Sequence, residues 1–117
     1  MIHTFGGEFI RLKNKKCIPC EGVVPALNNS QIMPLLNQID SDWNLIADHH
    51  IERTFRFTDF QNALEFTNNA GKVCELEGHH ANFELSWGQV NVIIWTHKID
   101  GLTESDFILA AKIDDIQ

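Results

Sequence analysis

Apolar residues recur along this chain in two periods, and the switches between them mark out its elements. Ile32, Leu35, Leu36 and Ile39 fall at i, i+3, i+4 and i+7, one face of an amphipathic helix. Asn29-Ser30 offers that helix an N-cap, Pro34 sits in its first turn where a lost amide costs little, and Asp40-Ser41-Asp42 ends it. The period then becomes two. From His49 to Phe57, Ile51, Arg53, Phe55 and Phe57 share one side and His50, Glu52, Thr54 and Arg56 the other, which predicts a half-buried strand. Thr58 or Asp59 caps a second helix, in which Phe60, Ala63, Leu64, Thr67, Ala70 and Cys74 follow helical spacing. Asn68, Asn69 and Gly71 weaken this helix, so packing rather than propensity must hold it, and Gly78 breaks it. Asn82 to Trp87 and Val90 to Thr96 read as two strands joined at Gly88-Gln89, a hairpin. Thr103-Glu104-Ser105-Asp106 then opens a last helix in the manner of a capping box.

The order helix, strand, helix, hairpin, helix predicts an α+β fold, an antiparallel sheet of three or four strands with its helices packed on one face. At 117 residues the chain has enough surface to bury one core and not two. Residues 30–117 carry the periodic elements and are expected to form that single domain. Residues 1–29 show no sustained period and are expected to be an extension: Glu8 to Leu12 alternates enough for a short strand at most, and Pro19, Gly22 and Pro25 mark the remainder as an arm or loop.

Charge narrows the partners. Nine basic residues against 16 acidic ones give a net charge of −7, which opposes binding to nucleic acid or to an anionic membrane through a general basic surface. No apolar run approaches the ~20 residues of a membrane helix. Met1 to Glu8 lacks the basic and apolar regions of a secretory signal, and the cysteine number is odd, so a reducing, cytoplasmic location is expected. Cys17 and Cys20 form a lone Cys-x-x-Cys. It reads as two reduced thiols in a loop, with a disulfide or a shared metal site left open.

The chemistry concentrates between Glu75 and Asp106. Glu75, the adjacent His79 and His80, and His97 are groups able to move protons near neutral pH, and Asp106 closes the run. Each has an ordinary reading by itself: a solvated histidine pair, an exposed carboxylate at a helix end, a helix cap. Their joint pattern is more specific: an acidic residue, three positions, His-His, a small residue, an aromatic, nine positions, His, and an Asp in the next element. At Glu75, His79-His80-Ala81, Trp87, His97 and Asp106 it resembles the signature of the pterin-4a-carbinolamine dehydratases. The resemblance extends through Trp43-Asn44, Phe57-Thr58-Asp59-Phe60 and Gly101 to Asp106, roughly Ile32 to the C-terminus. Ala81 departs from the Pro, Cys or Ser usual after the histidine pair, which alters loop stiffness more than chemistry.

The resemblance implies a four-stranded antiparallel sheet covered by helices, a homodimer or homotetramer, and dehydration of a 4a-hydroxytetrahydropterin to a quinonoid dihydropterin without metal or organic cofactor. The reaction delivers a proton to the departing hydroxyl and removes one from a ring nitrogen, work that imidazole suits. On this expectation the catalytic residues are His79, His80 and His97: His79 and His97 are acid and base, His80 binds and orients the ring or stabilises charge, with the parts of His79 and His80 interchangeable, and Glu75 accepts hydrogen bonds from the ring or holds a histidine in one tautomer. Thr96, Trp43, Phe83 and Asp106 complete the binding residues, although Trp43 is equally a core residue. Asp106 orients His97 or caps its helix. The resemblance also implies functional coupling to an aromatic amino-acid hydroxylase. Two other readings are kept: a non-catalytic interaction protein of the same fold, and a metal module using His79, His80, His97 and Glu75, which adjacent histidines pointing to opposite sides disfavour.

Overall fold

The computed structural model describes residues 10–18 and 24–117. Its elements are α1 (Asn29–Leu36), β1 (Asn44–Ile46), β2 (His50–Arg56), α2 (Phe60–Glu77), β3 (Asn82–Ser86), β4 (Gln89–Ile94) and α3 (Glu104–Asp114), with single 3-10 turns at Leu12–Asn14 and His97–Ile99. The strands form one antiparallel sheet in the order β1-β2-β4-β3. The alternation read from the sequence decides which face is buried. Ile51, Arg53 and Phe55 of β2 and Val90, Val92 and Ile94 of β4 turn toward the helices. Burying each large apolar side chain contributes about 1.5–3 kcal/mol. The α+β architecture with helices on one face is therefore present, and the sheet has four strands.

Helix α3 is the keel of the core. Phe107, Ile108, Leu109, Ala110 and Ile113 are buried, with α2, α1 and the N-terminal segment packed around the helix. Arg53 is the one charged group on the apolar face of β2, and it is neutralised in place. Asp114 accepts from its Nη1 at 2.7 Å, Asp40 and Asp42 stand at 3.5 and 3.6 Å, and its guanidinium lies 4.3 Å from the Phe55 ring. Trp43 donates its indole N–H to the same Asp114 carboxylate.

Several boundaries differ from those expected. Asn28, not Asn29 or Ser30, caps α1, which ends at Leu36 although Ile39 still packs on the core. Strand β1 has no counterpart in the sequence reading. Three residues are too few to show a period, and the strand exists because a turn through Ala47 and Asp48, both at positive φ, folds it back on β2. Strand β4 stops at Ile94, so His97 begins a 3-10 turn rather than ending a strand.

The described part of the expected arm is also packed. Leu12 and Cys17 are core residues against α3, Cys17 N–H donates to Glu77 at 2.9 Å, and Ile18 exchanges hydrogen bonds with Ser105. The expected short strand from Glu8 lies partly outside the described residues, and within them Leu12–Asn14 is a 3-10 turn. Cys20, the second half of the Cys-x-x-Cys, lies outside them as well.

Candidate active site

The site begins with how α2 ends. Gly78 takes the left-handed conformation, φ 65°, which a residue without a Cβ adopts at no steric cost. Its N–H donates to Glu75 C=O and that of His79 to Cys74 C=O, the paired bonds of a Schellman ending. The chain therefore leaves the helix sharply, and His79 and His80 are set in the short connector before β3.

His79 reaches inward. Its Nε2 lies 2.6 Å from Asp106 Oδ1, and Asp106 is wholly buried at the third position of α3. The other oxygen of Asp106 accepts from Thr103 N–H and from Thr96 Oγ1, each at 2.8 Å. Because the one hydroxyl proton of Thr96 goes to Asp106, the 3.1 Å contact between Thr96 and Thr103 hydroxyls has Thr103 as donor. A carboxylate is an acceptor only, so its neighbour Nε2 carries a proton, and in the neutral ring the lone pair of His79 is on Nδ1.

His80 turns outward. Its Nε2 is 2.5 Å from Glu75 Oε2, and both side chains are more than half exposed. Each adjacent histidine is thus tied through Nε2 to a different carboxylate, one buried and one in solvent. Phe83, on the helix-facing side of β3, packs at the margin of the core three residues beyond His80.

His97 is exposed, one residue past Thr96. Its ring stacks on Trp95 at 4.2 Å between centroids and makes no hydrogen bond among the described residues. The expectation that Asp106 orients His97 is corrected: the carboxylate pairs with His79, because Thr96 takes the inward place and His97 falls in the turn beyond it.

Thr96 is buried with its hydroxyl committed to Asp106. Trp43 does not join the cluster. It is 3% exposed and bound to Asp114, at the opposite end of α3 from Asp106, where a cavity of about 500 Å³ opens between Leu12, Ile39, Ala111 and Asp114. Trp87 is exposed in the β3–β4 turn.

Sequence reasoning missed two contributors. Thr103, read as a helix cap alone, also donates to Thr96. His49, read with His50 as solvated surface, is bonded to Asp100 at 2.6 Å in the loop that carries His97. The first was legible from the capping pattern, whereas the second joins residues 51 positions apart and had no local signal.

The α+β fold thus carries a buried His79–Asp106 pair at the start of its last helix and an exposed His80–Glu75 pair at the end of the helix before it. The comparisons place it. Residues 25–116 match the model of the pterin 4 alpha carbinolamine dehydratase family. Relatives named provisionally as pterin-4-alpha-carbinolamine dehydratases include one from Alkaliphilus metalliredigens, 50% identical over 88% of this chain and 93% of its own. Another, from Rickettsia bellii, is 50% identical over 91% and 94%. A solved structure from Brucella melitensis, described as a transcriptional coactivator/pterin dehydratase, superposes with a TM-score of 0.72 at 30% identity, over 78% of this chain and 97% of that one. The chain belongs to the pterin 4 alpha carbinolamine dehydratase family.

Proposed function

We propose that the chain dehydrates a 4a-hydroxytetrahydropterin to the quinonoid dihydropterin and water by histidine acid–base catalysis, in the recycling of a tetrahydropterin. The observation that carries this reading is the His79–Asp106 pair, buried and braced by Thr96 and Thr103. With Nε2 held by the carboxylate, Nδ1 of His79 accepts the proton leaving the ring nitrogen, and Asp106 stabilises the imidazolium that forms. His97, whose ring nitrogens are uncommitted among the described residues, passes a proton to the departing 4a hydroxyl, which leaves as water. His80 and Glu75 bind the pterin edge and Phe83 flanks the ring. The proton taken at nitrogen balances the one given at oxygen, so no electron acceptor enters the reaction, and no metal or organic cofactor is assigned a role.

The names of the relatives support the pterin substrate and the enzyme class. No helix among the described residues is long and apolar enough to cross a membrane. A cytoplasmic homodimer or homotetramer coupled to an aromatic amino-acid hydroxylase completes the proposal. The coactivator description of the Brucella melitensis protein favours a second reading, an interaction role beside or instead of catalysis.

The test is the rate of quinonoid dihydropterin formation from freshly generated 4a-hydroxytetrahydropterin, with and without chelator, against a His79→Ala/His97→Ala variant. Acceleration that survives chelator and is lost in the variant supports the reading. Folded protein without acceleration transfers the weight to the interaction role.

A further inference from the structure

A second aromatic cluster stands next to the site. Trp95, partly buried just past the end of β4, has His97 at 4.2 Å, His49 at 5.3 Å and His50 at 6.0 Å between ring centroids. His49 and His50 meet edge to face, with their Nδ1 atoms 3.0 Å apart. His49 Nε2 reaches Asp100 Oδ1 at 2.6 Å. Since Asp100 only accepts, His49 donates to it through Nε2; with His49 neutral, its Nδ1 accepts from His50.

The backbone on both sides of this contact is unusual. Asp100 closes the 3-10 turn His97–Ile99 in the left-handed conformation, φ 53°. Ala47 and Asp48, directly before His49, are left-handed too, at φ 54° and 55°. Three non-glycine residues in that region carry a conformational cost that the surrounding structure must maintain. Here they bring the β1–β2 turn against the loop that starts with His97, and Asn29 of α1 fixes the same turn by donating to Asp48 at 3.0 Å.

We infer that His49, Trp95 and Asp100 are positioning residues for His97: the His49–Asp100 contact fastens the His97–Asp100 turn, and the indole seats the His97 ring. This rests on the catalytic part given to His97 above. Asp100 is 85% exposed and His49 31%, so an ion pair there adds little to global stability. Its effect is confined to the orientation of one short turn, where a small misplacement of a catalytic group costs rate.

The experiment compares His49→Ala and Asp100→Gly with Asp100→Asn. Glycine keeps the left-handed backbone and deletes the acceptor, whereas asparagine keeps both the conformation and an acceptor oxygen. Two quantities are read: the ring-current shielding of the His97 ring protons by NMR, and kcat and KM for 4a-hydroxytetrahydropterin dehydration. Expected are loss of shielding and a kcat lower by about fivefold with KM little changed in the first two variants, and wild-type values in Asp100→Asn. Shielding that persists in both His49→Ala and Asp100→Gly overturns the inference, as does lost shielding with unchanged kcat. If the wild-type protein does not accelerate the reaction, the catalytic reading fails, and the shielding alone decides whether the contact seats His97.

Discussion

His79 Nε2 lies 2.6 Å from a carboxylate oxygen of Asp106, a residue with no exposed surface, across 27 positions of sequence. The contact joins the connector after α2 to the first turn of α3, whose next four residues are core. The His79 ring is therefore anchored through Nε2 to the buried start of α3.

The two partners of this contact differ in what they support. His79→Ala is expected to lower the dehydration rate by about 10² to 10⁴ and, by leaving Oδ1 of Asp106 without its donor, to cost about 1 kcal/mol of stability. Asp106→Asn turns an amide toward donors that need an acceptor, and is expected to lower the rate and cost more stability, about 1–3 kcal/mol. Paired kinetics and urea unfolding of both variants check this; equal stability losses would contradict it.

Glu77 governs how the N-terminal segment is held. Burial acts to raise its pKa, but the Cys17 N–H and Lys112, 3.3 Å away, outweigh it and bring it below the ordinary 4.5. A depressed carboxylate pKa stabilises the fold above the unfolded value, and that contribution is lost as pH falls through the folded one. Glu77→Gln is expected to lower Tm at neutral pH, with the gap from wild type closing as pH drops below 4.5. Thermal scans between pH 3 and pH 7 give the answer; a gap independent of pH would show that the charge is not what matters.

Thiol chemistry should separate folded from unfolded protein. Burial, reinforced by Glu77, pushes the Cys17 thiol up to about 12, and burial raises Cys74 as well. The thiolate is the reactive form, so both cysteines are expected to resist alkylation at pH 8 until denaturant is added. Peptide mapping after timed iodoacetamide treatment measures this, and rapid native labelling of Cys17 would mean that its segment leaves α3 readily.

Arg53 depends on Asp114. Burial lifts the Asp114 pKa against the opposing pull of Trp43 and Arg53, yet the carboxylate remains the nearest acid to a buried guanidinium. Asp114→Asn leaves that charge with Asp40 and Asp42 at 3.5 and 3.6 Å and is expected to cost about 2–3 kcal/mol. Since this end of α3 is away from Asp106, the kcat of the folded fraction should stay near wild type. A large fall in kcat would place the Trp43 end within reach of the chemistry after all.

Two glycines of the α2 region are expected to respond in opposite directions. At both an added Cβ meets nothing within 4 Å, but Gly71 is in the helix and Gly78 is left-handed. Gly71→Ala should stabilise by about 0.5–1 kcal/mol and Gly78→Ala should destabilise by about 1 kcal/mol. Denaturation midpoints of the two variants test the backbone argument without touching a side-chain contact.

Helix α2, strand β2, the β3–β4 hairpin and the breaking glycine before His79 were legible in the sequence, because period, capping and turn chemistry are properties of neighbouring residues. So was the family pattern from Glu75 to Asp106. The sequence did not disclose β1, which is three residues long and exists by pairing with β2, nor the packing of Leu12 and Cys17 on α3. It also left open which histidine takes which carboxylate. Only the tertiary structure decided that Asp106 serves His79, that Trp43 serves Asp114 and that His49 meets Asp100. Each of those pairs is 27 or more positions apart. A short polar side chain carries no mark of a distant partner until the core has set the distance between them.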